Sequence, residues 1–279
     1  MNAKRLTRRA VQKPWGRPDL PACFASMAEG TQPIGEIWFE DGPVPHRPLL
    51  VKYLFTSERL SIQVHPGEEA GRKAGHSGGK DEAWFITQAE EDAVLGLGLT
   101  NSISRAALRQ AAVDGSIMDL VDWRPAAAGD FYYSPAGTVH ALGAGLVLIE
   151  VQQNVDATYR LYDYGREREL HLDQAVAVAN PAPFKPLGTG RDLGGGRAVL
   201  IDGGAFVVER WSHGASGLLE ASKAMPVWII PLADGGDIDG KPFRAGHVWI
   251  ADGRAGVDVG QGDILVAYEA GRHVPGLIG

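Results

Sequence analysis

Three short stretches hold residues whose types and spacing suit metal chemistry. In "LSIQVHP", Ser61, Gln63 and His65 fall two residues apart, so an extended strand puts all three side chains on one face. Lys80 and Glu82 in "GKDEAWFI" share a face for the same reason. His140 closes "GDFYYSPAGTVH", where an aromatic-rich strand candidate meets a turn. The proline there fixes φ and the glycine accepts positive φ, so the chain can fold back and present the imidazole. Gln63, His65, Glu82 and His140 together offer an amide oxygen, two imidazoles and a carboxylate. That donor set suits one Zn²⁺ per chain, or another divalent first-row ion, with a coordination position left open. Taken singly, Glu82 reads as a solvated strand-end carboxylate and Gln63 as an inter-strand hydrogen bonder; the joint pattern is what points to a metal.

Elements must bring these stretches together, and the chain reads as mainly β. "LLVKYLF" (Leu49 to Phe55), "LSIQV", "AWFI", "FYYS", "LVLIEV" and "TYRLYDY" are short apolar or alternating runs, and 37 glycines and 17 prolines supply the turns between them. One helical insertion is expected near 104–112, where Ser104 can cap an alanine- and leucine-rich segment that ends near Gly115. The stretch "NPAPFKPLGTGRDLGGG" (Asn180 to Gly196) lacks apolar periodicity and reads as a connector. Two units are therefore expected: 1–180 with the metal site, and 181–279 as a second β unit. If Gly246 stands in for Gly129, the proline and histidine positions fall on Asp252 and Val257, so the second unit is expected to carry no metal site.

Composition excludes several classes of function. A formal charge of −7 gives no global attraction to nucleic acid or to an anionic membrane. Cys23 is the one cysteine, which rules out an intrachain disulfide framework and suits a reducing compartment. The basic N-terminus lacks the apolar core of a secretory signal, and no apolar run approaches the roughly 20 residues of a membrane span. A cytoplasmic protein is expected.

The spacing of Gly129, Pro135, Gly137 and His140 is that of the second cupin motif, G-x5-P-x-G-x2-H. The first cupin motif is altered, with Gln63 in place of its first histidine and a longer stretch between His65 and Glu82. Together with "IGEIW", "GKDEAWFI" and "PAGTVHALGAGLVLIEVQQNVDATYRLYDYGR", this departure resembles type I phosphomannose isomerases of the short bacterial form, over about the first 180 residues. The resemblance implies two cupin-like β-barrels of jelly-roll type, the second one degenerate, and zinc held by Gln63, His65, Glu82 and His140. It also implies a sugar phosphate substrate, interconverted between mannose 6-phosphate and fructose 6-phosphate through an enediol.

Arg160 is the residue the resemblance places in the active site, as a cation for the developing enediolate. Without it, Arg160 reads as a surface ion pair with Asp163 or Glu167. Glu150, Asp156 and Lys80 are candidate proton carriers. Lys52, Ser61 and Arg166 match substrate-pocket positions, with Arg166 standing where relatives carry lysine. Two other readings stay open: an iron-dependent cupin oxygenase, since two histidines and a carboxylate also form its triad, and a non-catalytic sugar-binding module.

Overall fold

The computed structural model describes residues 2–28, 32–42, 47–188 and 190–278. Its strands form four sheets, of six, five, seven and four strands, and the pairings between these strands are antiparallel. The strand Leu49–Phe55 explains the stacking. It is buried along its whole length, so it needs apolar cover on both faces. Leu49, Val51, Tyr53 and Phe55 pack towards the seven-stranded sheet, in a core with Trp228, Ile230, Val248 and Leu265. Leu54 points the other way, with Trp84, Ile86 and Leu148, and meets Leu95, Leu97 and Leu142 of the five-stranded sheet.

The outer layers follow the same alternation. Val207, Trp211, Ile229 and Val266 on the far face of the seven-stranded sheet pack against Leu219, Ile238 and Val257 of the four-stranded one. On the other side, the five-stranded sheet is covered by helices. The helix Arg105–Asp114 starts where Ser104 Oγ accepts from Ala107 N at 3.1 Å and ends at Gly115, whose φ of 85° only a glycine adopts without strain. It buries Leu108, Ala111 and Ala112 beside Val121 and Leu161.

The mainly β expectation holds, but the two closed jelly-roll barrels do not. Among the described residues each sheet is open, and no strand order returns to its first member. The six-stranded sheet runs from an edge at Thr7–Arg17 to an edge at Phe131–Ser134. The first edge carries Arg8, Arg9, Lys13 and Pro14 and loses register beyond Val11. Charged side chains and a missing N–H blunt an edge against further pairing, so closure fails there. The five-stranded sheet ends likewise on Val121–Pro125, with Asp122, Arg124 and a terminal proline.

Two features join the halves of the chain. Ala3–Arg5 pairs with Trp249–Ala251 at the edge of the seven-stranded sheet, so the chain begins among strands of residues 191–268. Within the expected connector, Arg191–Gly194 forms the opposite edge strand of that sheet. Among the described residues, no helix is long and apolar enough to cross a membrane.

Candidate metal centre and active-site cleft

The space between the six- and five-stranded sheets is filled by leucines at one end and opens into a polar cleft of about 460 Å³ at the other. Cross-strand register builds its two walls. On the six-stranded sheet, Glu150 lies opposite both Lys52 and Trp84, Gln152 opposite Glu82, and Trp38 opposite Lys52. On the five-stranded sheet, Gln63 lies between His140 on one side and Arg160 on the other. Alternation turns these even-numbered residues of the first sheet towards the second, in place of the leucines further along.

His65, Glu82 and His140 meet at the cleft floor, all buried, with ligand-capable atoms within 4.8 Å of one another. Each imidazole is held by its Nδ1: His65 donates to Ala157 O at 2.7 Å and His140 to Thr138 O at 2.9 Å. With Nδ1 protonated, each Nε2 presents a lone pair. His65 Nε2 then faces Glu82 Oε1 at 3.1 Å, and His140 Nε2 faces Glu82 Oε2 at 3.6 Å. Burial pushes His65 down to about 4 and also lowers His140, so both rings are neutral at pH 7. Burial works to raise Glu82, but the Lys80 ammonium beside it helps to hold the carboxyl well below its usual range.

Lone pairs therefore converge with no proton between them, and among the described residues His65 Nε2 and Glu82 Oε2 have no hydrogen-bond partner. A cation resolves this arrangement, and the orientation of both rings by backbone carbonyls is the support expected for metal-binding histidines. The cluster fits a single Zn²⁺ ion. Gln63 sits at its edge, with Nε2 3.2 Å from His140 Nε2 and Oε1 accepting from Ser61 Oγ at 3.1 Å. Rotating the amide by half a turn exchanges these two atoms, so its oxygen can face the cluster.

The remaining expected residues separate into three groups. Lys52, Ser61, Lys80, Glu150 and Arg160 line the cleft, with Asp156 exposed at its rim. Lys80 Nζ lies 2.9 Å from Glu82 Oε1. Lys52 is buried and donates to Glu150 Oε1 at 3.1 Å and Gln152 Oε1 at 2.6 Å, while Trp84 Nε1 donates to Glu150 Oε2 at 3.1 Å. Burial opposes the Lys52 charge, but Glu150, Glu36 and Glu82 outweigh it and raise its pKa. Arg166, in contrast, lies outside the cleft lining: it donates to Arg59 O at 2.5 Å and stacks over Tyr164.

Arg160 is half-buried and forms no ion pair among the described residues, and its Nε has no partner. The surface pair with Asp163 does not form: that carboxylate faces Arg168, which donates to both its oxygens at 2.6 Å, and Arg166, 3.5 Å away. Burial and the Arg168 charge lower the Arg160 pKa, yet an arginine stays cationic throughout the working range. Sequence reasoning missed Arg168 and His171, which line the cleft near Arg160. In "GREREL" arginine and glutamate alternate, and nothing in the spacing separates Arg168 from Arg166.

A metal-binding, antiparallel-sheet protein with a polar cleft beside its ion site is thus defined. No family model matches the chain. The chain is 34% identical to the mannose-6-phosphate isomerase of Streptococcus mutans over 197 residues, 67% of this chain and 61% of that protein. It is 34% identical to the mannose-6-phosphate isomerase ManA of Bacillus subtilis over 214 residues, 71% of this chain and 67% of that protein. The crystal structure of the Bacillus subtilis mannose 6-phosphate isomerase superposes with a TM-score of 0.81 at 25% identity, covering 98% of this chain and all of that one. The chain belongs to the type I mannose-6-phosphate isomerase family.

Proposed function

We propose that this protein interconverts D-mannose 6-phosphate and D-fructose 6-phosphate, with Zn²⁺ held by His65, Glu82, His140 and the Gln63 amide. The observation that carries the reading is the lone-pair cluster at the cleft floor with an arginine free of carboxylates on the adjoining strand. The reaction moves a proton between C2 and C1 through an enediol, so it needs a proton carrier and stabilisation of negative oxygen. Bound zinc supplies Lewis-acid polarisation of sugar oxygens.

The chain's own residues supply the rest. Glu150 is the best-placed carrier: it accepts from Lys52 and is fixed by the Trp84 indole, and each oxygen has lone pairs to spare. Asp156 at the rim is solvated, and Lys80 is engaged by Glu82. Arg160 donates to the developing enediolate. Ser61 and Lys52 orient the sugar along the cleft wall, and the Arg160–Arg168 end offers the positive charge that a phosphate dianion needs. On this reading the phosphate contact lies away from Arg166. Residues 1–180 carry the whole site, since the cleft lining falls between Lys13 and His171.

Family membership favours this reading over an oxygenase or a non-catalytic sugar binder. A coupled assay with mannose 6-phosphate tests it: activity should vanish on chelation and return with Zn²⁺, and free mannose should be a far poorer substrate. Full turnover by metal-free protein, or equal kcat/KM for mannose and mannose 6-phosphate, would defeat it.

A further inference from the structure

Asp81 lies between two cleft residues, Lys80 and Glu82, but its side chain points to the other face of the strand, away from the cleft. Its carboxylate makes two contacts. Oδ2 accepts from Tyr133 Oη at 2.5 Å, and Oδ1 accepts from the backbone N–H of Ala136 at 2.9 Å. Ala136 belongs to the turn that carries His140: Thr138 N donates back to Pro135 O, Gly137 N donates to His65 O at 2.8 Å, and Thr138 O holds His140 Nδ1. Asp81 itself cannot drift, because its N–H donates to Gln153 Oε1 at 2.9 Å and its carbonyl accepts from Gln153 N at 3.1 Å.

The far end of this chain of contacts lies in the second half of the molecule. Tyr133 is buried between the six- and seven-stranded sheets, its ring 5.2 Å from that of Phe206. Its hydroxyl, donating to Asp81, accepts from the backbone N–H of Ala205 at 2.8 Å. Gly204 fits tightly over that hydroxyl, since a Cβ there would come within 2.1 Å of it. The contacts therefore run Ala205, Tyr133, Asp81, the Pro135–Thr138 turn, His140.

We infer that Asp81 and Tyr133 are positioning residues for the metal site, through which the loop at 204–206 sets the geometry of His140 and Glu82. The second half, which lends no residue to the cleft lining, thus acts on the ion site through one phenol and one carboxylate. The inference rests on the metal-site reading above and on short hydrogen bonds that no packing role requires. Outer contacts of this kind typically change metal affinity by about 10- to 100-fold when removed.

The test reads metal binding directly. Zinc affinity by chelator competition, and the visible spectrum of the Co²⁺-substituted protein, are measured for wild type, Tyr133→Phe, Gly204→Ala, Asp81→Ala and Asp81→Asn. Tyr133→Phe and Gly204→Ala should each weaken zinc binding about 10-fold and shift the Co²⁺ bands, although neither residue touches the ion. Asp81→Ala should cost about 100-fold on the same scale. Asp81→Asn keeps an acceptor for Ala136 N–H and should recover part of that loss. Urea unfolding of the metal-free forms separates these effects from folding, and the near-isosteric Tyr133→Phe covers the case in which Asp81→Ala does not fold. Affinities within twofold of wild type, with unchanged spectra in folded Tyr133→Phe and Gly204→Ala, would overturn the inference alone. A wild-type protein that binds neither ion would overturn the metal-site reading and this inference with it.

Discussion

His65, Glu82 and His140 place acceptor lone pairs against one another in a buried site, an arrangement that is unfavourable without a cation. His140→Ala should therefore abolish stoichiometric zinc binding while raising the stability of the metal-free protein or leaving it unchanged, as read by metal analysis and thermal unfolding. Arg160 makes the opposite separation. It holds no carboxylate, so Arg160→Ala should lower kcat by about 10²-fold or more with little change in Tm. Glu150 combines both roles. Glu150→Gln should reduce kcat by about 10²- to 10⁴-fold, the range for a lost general base. Both variants leave Lys52 buried without its counter-charge, and Glu150→Ala, which also removes the hydrogen-bond acceptors, should destabilise more, by about 3–5 kcal/mol; denaturant titration of the metal-free variants reads the difference.

At the scale of elements, period-2 alternation made most of the site legible. Spacing alone puts Ser61, Gln63 and His65 on one face, and likewise Lys80 and Glu82; Ser61, Gln63, Lys80 and Glu82 line the cleft, and His65 and His140 meet Glu82 in the buried cluster at its floor. Register between distant strands was not legible. That Gln152 faces Glu82, or that Gln63 lies between His140 and Arg160, depends on hairpin and crossover geometry that no local pattern encodes. Arg166 and Arg168 show the cost. Two residues apart in a loop, they differ in whether the chain turns them to Arg59 or to the cleft, and charge says nothing of this. The helix at Arg105–Asp114 was read from its cap and its alanines. It packs on the five-stranded sheet away from the cleft, so Ser104→Ala should cost about 1 kcal/mol of stability and leave kcat/KM unchanged.

Over the whole molecule, the sequence pattern indicated many strands but not how they close. A strand such as Leu49–Phe55, buried on both faces, fits the centre of a stack as well as the wall of a barrel, and the charged, proline-bearing edge at Thr7–Arg17 decides for open sheets. The stack has a pH signature. The folded pKa of His65 lies at about 4, below its usual 6.5, so the unfolded chain binds more protons between these values. In the metal-free protein this contribution to stability is fully present above pH 6.5 and is lost as pH falls towards 4; urea midpoints across that range should decline accordingly, and His65→Gln should flatten the decline.

The proposed reaction moves a proton between neighbouring carbons of a hexose phosphate, and one labelling experiment follows that proton. Zinc-loaded protein is incubated with mannose 6-phosphate in deuterated water, the products are read by NMR, and dissolved oxygen is monitored in parallel. Fructose 6-phosphate should form with deuterium at C1, in part or in full according to how fast the carrier exchanges with solvent, and oxygen should stay constant. No fructose 6-phosphate from metal-replete protein, or sugar loss matched by oxygen uptake, would contradict the account.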